Sequence, residues 1–173
     1  MVFGNNESKS WFVVTSKPRQ DAYAEEQLNS QGYNTYRPIA VREQRRRGKL
    51  VKVTESLFPR YMFIELDVER DNWSPIRSTY GVSGFVQFGG TPMSVPESLV
   101  ENLRHREAQY QGRAIDLDRF HKGDVVVIKS GPFEGLNAVF ERYNGEERAI
   151  LLMNILHEQA KVAVSPVDIY KTA

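Results

Sequence analysis

Two strongly apolar segments constrain the fold of this chain more than any other feature: residues 11–15 (Trp-Phe-Val-Val-Thr) and 61–66 (Tyr-Met-Phe-Ile-Glu-Leu). Each is short and rich in β-branched or aromatic residues, which predicts a buried strand. Between them, residues 18–30 predict a helix that has Pro18 in its first turn and is closed by Gly32. Two buried strands separated by a helix predict an α+β fold in which sheet and helices share a core.

A basic tract lies between the helix and the second strand. Residues 42–52 contain six Lys/Arg and one Glu, with Gly48 at a turn, and predict a protruding hairpin. Residues 1–56 carry ten Lys/Arg against six Asp/Glu, although the net charge of the whole chain is only +1. We therefore expect any contact with a nucleic-acid backbone in this first third, with Arg45, Arg46 and Arg47 as phosphate-binding residues. A solvated hairpin tip is the alternative interpretation.

The remainder of the chain predicts two domains. Residues 84–88 predict a further strand. The next element is a predicted helix that begins at Pro96, with Ser94 as its cap. We expect a disordered N-terminus over residues 1–10, an α/β sandwich domain over 11–108, a linker over 109–120 and a small domain over 121–173. In the small domain, residues 123–129 predict a turn and a strand, and three segments are candidate strands: 137–142, 149–156 and 161–164.

The tract 149–156 is compatible with two structures. As a strand it would be apolar on both faces, whereas as a helix it would form one stripe containing Leu151, Leu152, Ile155 and Leu156. The preceding Asn144-Gly145 favours a hairpin, but Asn144 with Glu147 three residues later also resembles a capping box. The sequence therefore leaves a β-barrel and a helical hairpin open for the small domain.

Several function classes are excluded or disfavoured. With no cysteine, the chain forms no disulfide and no thiolate metal site. His105, His121 and His157 lack metal-ligand spacing, and no phosphate-binding loop or nucleophile elbow is present. We predict no enzymatic activity, no cofactor and no metal. The polar first ten residues and the lack of an apolar run of about 20 residues predict a cytoplasmic monomer without membrane contact.

An ordered set of motifs resembles the NusG family of transcription elongation factors. It comprises the strand at 11–14, Lys17-Pro18-Arg19-Gln20, Gly32-Tyr33, the basic hairpin, residues 57–63 (Leu-Phe-Pro-Arg-Tyr-Met-Phe), residues 81–86 (Gly-Val-Ser-Gly-Phe-Val) and the Val95-Pro96 helix start. Residues 123–128 and 131–135 are similar to a KOW domain. The resemblance implies a NusG-type N-terminal α/β sandwich with an antiparallel sheet and flanking helices, followed by a small KOW domain.

The resemblance also implies partners and sites. The implied partner is RNA polymerase, bound at the β′ clamp helices by Phe58, Pro59, Tyr61, Phe63 and Phe88, with the β subunit as a second contact. In strand geometry, Tyr61 and Phe63 share one face and Met62 and Ile64 the other, so one pair can fill the core and the other can join an exposed patch. If all of these side chains are core, the patch does not exist.

Nucleic-acid contacts are expected at the start of the first helix. Lys17, Arg19 and Gln20 are the candidates for reading bases, because Arg and Gln can make paired hydrogen bonds to base edges. Tyr23 or Tyr33 would stack on an unpaired base. The expected target is the non-template DNA of the elongation complex; ordinary helix-start polarity is the alternative.

Residues 148–156 and the Arg47-Gly48-Lys49 turn resemble the RfaH-like members of the family, which regulate antitermination. That likeness implies autoinhibition: Glu55 pairs with Arg148, while Phe140, Leu152, Ile155 and Leu156 cover the polymerase-binding aromatics. On release, a barrel would bind ribosomal protein S10 through Ile155 and Leu156. Two alternatives stay open, a constitutive NusG-like factor and a KOW-containing ribosome- or RNA-binding protein.

Overall fold

The structure is a computed structural model that describes residues 8–109 and 145–164. The described residues form two compact units. The first contains residues 8–37 and 60–101, and the second contains residues 38–59, 102–109 and 145–164. The basic hairpin thus groups with the C-terminal segment rather than with the sheet that precedes and follows it in sequence.

A five-stranded antiparallel sheet organises the first unit. β1 (Lys9–Ser16) pairs with β5 (Tyr61–Asp67) over its whole length, and Val13 lies opposite Phe63. β2 (Asn34–Tyr36) extends the sheet beyond β5, while β6 (Val82–Phe85) and β9 (Ser94–Val95) pair with β1. Both strands predicted from apolar runs are confirmed, and each is longer than the run that predicted it.

Both faces of the β1–β5 pair are buried. One face carries Phe12 and Val14 of β1 with Met62, Ile64 and Leu66 of β5, in a cluster that also includes residues of the helices. On the other face, the opposed pair Val13 and Phe63 is fully buried, and the Tyr36 ring stacks on Phe63 at 6.3 Å between centroids. The expectation that one face of β5 is exposed is therefore wrong for Phe63.

Helix α1 (Asp21–Ser30) begins three residues later than predicted. Lys17–Gln20 forms a tight turn, closed by a 3.0 Å bond from the Gln20 amide to the Lys17 carbonyl oxygen, in which Arg19 adopts a φ of 62°. Pro18 therefore lies in the turn and not in the first helical turn. Ala24 and Leu28 bury the inner face of α1 in the core cluster, and Gly32 ends the segment with a φ of 91°.

The rest of the first unit consists of short elements. α2 (Ser74–Arg77) is a single turn, and β7 (Gln87–Phe88) pairs with β8 (Thr91–Pro92) in a separate two-stranded ribbon. The predicted strand over 84–88 is divided because the Val86 amide bonds to Val13 and its carbonyl to Met93. α3 (Glu97–Gln109) follows β9 directly, so Ser94 is a strand residue and not a helix cap.

In the second unit, β3 (Ile39–Arg46) and β4 (Lys49–Ser56) form the predicted hairpin, with Arg46 opposite Lys49. The two-residue turn has φ values of 51° at Arg47 and 77° at Gly48. Positive φ at both positions defines the turn type whose twist matches that of the strands. Arg47 is unusual there, because a side chain at positive φ is strained.

Helix α4 (Gly145–Val164) occupies the tract for which the sequence left two structures open. The candidate strands at 149–156 and 161–164 are helical in this structure. Arg148, Leu152, Ile155 and Leu156 are buried and recur at spacings of three and four, so they form one helix face. The predicted linker beyond Gln109, the KOW-like motifs and the predicted interdomain residue Phe140 lie outside the described residues.

Candidate interaction surfaces

The turn before α1 presents the residues predicted to read bases. Lys17 and Arg19 are exposed, and Gln20 is half-buried. The Lys17 amide bonds to the Gly81 carbonyl oxygen at 2.8 Å, which fixes this turn against the loop that follows α2. The structure therefore brings Lys17, Arg19 and Gln20 together on one accessible turn held by backbone hydrogen bonds.

Two exposed tyrosines flank the same region. Tyr23 on α1 is 45% exposed and Tyr80, beside Gly81, is 75% exposed. A side chain at Gly81 would press on the Tyr23 ring and on the Ala24 backbone, so the loop approaches α1 closely. Tyr33 does not join them: it packs against the core cluster and donates its hydroxyl to the Asn72 carbonyl oxygen at 2.7 Å. Burial, with the Asp71 carboxylate as a second cause, raises the pKa of Tyr33.

Arg60, Ser16 and Asp21 form a network that sequence reasoning missed. The Arg60 amide donates to Asp21 Oδ2 at 2.7 Å, and Arg60 Nε donates to the Ser16 carbonyl oxygen at 3.0 Å. Ser16 in turn donates its amide to the Arg60 carbonyl oxygen at 2.9 Å and its hydroxyl to Asp21 Oδ1 at 3.2 Å. Arg60 has a φ of 74°, a conformation that residue type alone does not reveal. Its place in the Phe-Pro-Arg-Tyr motif was the available signal.

The aromatic residues implied as polymerase contacts differ in exposure. Phe58 in the second unit and Phe63 in the first are fully buried. Tyr61 and Phe88, both in the first unit, and Pro59 in the second are half-buried. Phe58 and Phe63 therefore do not contribute exposed surface in this structure, whereas Tyr61 and Phe88 do.

The hairpin tip is basic and exposed. Arg45, Arg46 and Arg47 are all exposed, and so are two aliphatic residues across the ribbon, Leu50 and Val51. Arg45 lies opposite Leu50 in the register. Three consecutive arginines and two exposed aliphatic side chains thus share the hairpin tip.

Arg148 anchors α4 to the end of β4 inside the second unit. Its Nη2 lies 3.0 Å from Glu55 Oε1, and the Arg148 side chain is almost fully buried. Two backbone carbonyl oxygens also accept from it, Leu57 from Nε at 2.6 Å and Ser56 from Nη2 at 3.3 Å. At the start of the helix, a side chain at Gly145 would collide with the Pro59 ring. The helix N-terminus therefore sits tightly on residues 55–59.

Asp67 organises the opposite end of β5. It accepts hydrogen bonds from the Ser8 hydroxyl and from the amides of Glu69 and Arg70, at 3.0 to 3.1 Å. Burial by itself would raise its pKa. The hydrogen bonds from Glu69, Ser8 and Arg70, together with the charge of Arg70, outweigh burial and lower the pKa of Asp67. We assign this network to the stability of the turn, because the Asp67 carboxylate oxygens already accept from Ser8, Glu69 and Arg70.

The described residues hold no group of three or more His, Asp or Glu side chains arranged to bind a metal ion. Within the same residues, no helix is both long and apolar enough to cross a membrane. Among residues 8–109 and 145–164, the candidate interaction surfaces are the turn before α1, the hairpin tip and the half-buried aromatic side chains Tyr61 and Phe88.

Comparison with known proteins identifies the family. The family model described as "Transcription termination factor nusG" matches residues 9–104, which include the whole sheet and most of α3. The chain belongs to the NusG family. The match contains the turn before α1, the hairpin and Tyr61, so these features lie within the part of the chain that is similar to NusG.

Individual NusG relatives support this assignment. The protein named transcription termination/antitermination protein NusG from Helicobacter pylori is 32% identical over 123 residues, covering 64% of this chain and 68% of the relative. The Rickettsia bellii protein of the same name is 31% identical over 111 residues, covering 64% of this chain and 56% of the relative. This chain thus spans little more than half the length of the Rickettsia protein.

The solved structure titled "Domain interaction in Thermotoga maritima NusG" aligns with a TM-score of 0.43 at 24% identity, over 75% of this chain and 77% of that chain.

Proposed function

We propose that this NusG-family protein is a non-enzymatic antitermination factor of the RfaH type, which binds RNA polymerase and non-template DNA and is autoinhibited by its C-terminal segment. The observation that carries the proposal is the burial of Arg148 against the Glu55 carboxylate and the carbonyl oxygens of Ser56 and Leu57, because these contacts hold the helical form of 145–164 at a specific binding site. A constitutive factor does not need a specific binding site for a helical C-terminal segment.

RNA polymerase is the proposed main partner, with the β′ clamp helices as the contact and the β subunit as a second contact. The names of the relatives support a role in transcription termination and antitermination. Tyr61 and Phe88 are the accessible candidates for the contact, since both are half-buried. Phe58, Pro59 and Phe63 would contribute after rearrangement, because Phe58 and Phe63 are buried here.

Non-template DNA is the proposed nucleic-acid ligand. Lys17, Arg19 and Gln20 lie on one turn, and Tyr23 next to them exposes an aromatic ring. Cations beside exposed aromatics are typical of single-strand recognition, where bases stack and phosphates are neutralised. The hairpin cations Arg45, Arg46 and Arg47 would add contacts to the phosphate backbone.

Autoinhibition and S10 recruitment are proposed as two states of one segment. Leu152, Ile155 and Leu156 are buried in the helical form, so they cannot meet another protein there. Release of α4 would free Ile155 and Leu156 for ribosomal protein S10 and would couple transcription to translation. The relatives' names support a constitutive NusG factor equally well, and that is the second candidate function.

In vitro transcription tests the proposal. The full chain is added to RNA polymerase on a template with a terminator, with and without candidate recruitment sequences in the non-template strand. We expect increased readthrough only on templates that carry a recruiting sequence. Equal readthrough on all templates would favour the constitutive factor over the autoinhibited one. Unchanged termination on every template would refute antitermination.

A further inference from the structure

Three arginines adopt a backbone conformation that normally belongs to glycine. Within residues 8–109 and 145–164, every non-glycine residue with positive φ is an arginine: Arg19 at 62°, Arg47 at 51° and Arg60 at 74°. Left-handed backbone is strained for a residue with a side chain, and glycine avoids that strain. Strain of this kind is a reason to ask what the side chain does. Arg19 and Arg47 already belong to the proposed DNA-binding residues, whereas Arg60 has no assigned role.

Arg60 is held in place through its backbone and only one side-chain nitrogen. Its amide bonds to Asp21 and its carbonyl oxygen accepts from Ser16, so a residue without a side chain would keep both contacts. Nε bonds to the Ser16 carbonyl oxygen at 3.0 Å, which orients the guanidinium. In the described part of the chain, the two terminal nitrogens make no hydrogen bond. Arg60 is exposed, so those nitrogens reach solvent.

The position of Arg60 places it beside the turn before α1. Ser16, which holds Arg60, is the residue immediately before Lys17, and Asp21 is the first residue of α1. Arg60, Lys17 and Arg19 thus meet at one end of β1, within the first unit. Both oxygens of Asp21 already accept hydrogen bonds, one from the Ser16 hydroxyl and one from the Arg60 backbone amide, so the carboxylate fixes the Arg60 backbone at this place.

We propose that Arg60 binds a phosphate of single-stranded nucleic acid and completes a three-cation cluster with Lys17 and Arg19. The inference rests on the proposed function and adds a residue to its DNA site. Bases of the strand would face Tyr23 and Tyr80, which expose their rings on the two elements packed beside this turn. A single strand fits better than a duplex, because only unpaired bases present their faces for stacking on aromatic side chains.

The substitution Arg60→Gly separates this role from a structural one. Glycine retains the backbone bonds to Asp21 and Ser16, and relief of the backbone strain offsets the loss of the single Nε hydrogen bond, so the thermal midpoint should change little. Binding of a single-stranded DNA oligonucleotide of about 12 nucleotides, followed by fluorescence anisotropy with the full chain, should weaken severalfold. The plot of log affinity against log salt should become shallower by about 0.7, the change expected for one phosphate contact on a single strand.

The matched control is Arg70→Gly, which removes an exposed arginine at the opposite end of β5. It should leave oligonucleotide affinity unchanged. Equal binding by wild type and Arg60→Gly, or no binding by wild type, would overturn the inference, as would tighter binding to duplex than to single-stranded DNA. Co-purification with RNA polymerase is measured separately. Absence of that interaction in wild type would refute the proposed function without affecting the oligonucleotide result.

Discussion

Arg148 donates a hydrogen bond from Nε to the carbonyl oxygen of Leu57 at 2.6 Å, closer than the 3.0 Å separating its Nη2 from the Glu55 carboxylate. The Glu55 side chain is 29% exposed to solvent, whereas the Arg148 side chain is almost fully buried. The arginine is therefore held by the end of β4 as a whole, and the carboxylate is only one of three acceptors. The two members of the ion pair are not equivalent.

This asymmetry predicts different effects for the two partners. Arg148→Ala removes three hydrogen bonds from a buried cation and should destabilise the helical form by about 2 kcal/mol or more. Glu55→Ser removes a partly exposed partner and should cost about 0–1 kcal/mol. Amide hydrogen exchange over residues 145–157 measures both effects. Both substitutions should also speed RNA polymerase binding in the absence of a DNA signal, Arg148→Ala more than Glu55→Ser.

The double variant provides the control for this pair. Glu55→Ser added to Arg148→Ala should change exchange little further, because the ion pair is already gone. Equal effects of the two single substitutions would show that the ion pair dominates and that the carbonyl contacts are minor. If the C-terminal segment of the unmutated full-length protein forms a barrel, autoinhibition by the helical form is refuted.

Tyr61 and Phe63 lie on the same face of β5 but should respond differently to truncation. Phe63→Ala removes a fully buried ring that stacks on Tyr36 and should lower the free energy of unfolding by about 3–5 kcal/mol. Tyr61→Ala should leave the fold intact and abolish co-purification with RNA polymerase, as expected for an interface anchor. Chemical denaturation and co-purification are measured on both variants; unfolding of the Tyr61 variant would assign Tyr61 to the core.

Arg47→Asn should stabilise the hairpin and weaken its nucleic-acid contact. Asparagine tolerates a φ of 51° better than arginine, and Asn-Gly is the preferred pair for this turn. We expect a gain of up to about 1 kcal/mol. Salt titration of binding to the elongation complex should lose about one unit of slope if Arg47 contacts a phosphate. The slope should not change if the tip is merely solvated.

Asp67 predicts a specific pH dependence of stability. Its pKa is lower in the folded protein than its ordinary value of 3.8, so folding favours the ionised form. The stabilisation is present above the unfolded pKa and is lost as pH falls through the lower folded pKa. Asp67→Asn should therefore flatten the fall in the urea midpoint below about pH 4. Glu69→Gln, which changes an exposed carboxylate on the same turn, is the control, and an equally steep fall in Asp67→Asn would contradict the assignment.

Local pattern was sufficient to predict several elements. The strands β1 and β5, the basic hairpin and helix α1 follow from apolar runs, turn residues and helix-end signals in the sequence. These signals depend on neighbours within a few positions, so no distant contact is needed to read them. Lys17, Arg19 and Gln20 could be grouped for the same reason, because residues so close in the chain share one turn whatever packs against it.

Distant contacts decided the rest. Residues 149–156 satisfy both helical and strand patterns, and α4 forms in this structure where Arg148 finds acceptors far away in sequence, with separations of 91 to 93 positions. Phe63 is buried because β1 places Val13 opposite it and Tyr36 stacks on it, neither of which its own segment specifies. Arg60 became a candidate only through its positive φ and its bonds to Ser16 and Asp21. Residue types determine which structures each segment can form, whereas choosing between two of comparable local stability requires partners that only the tertiary structure brings together.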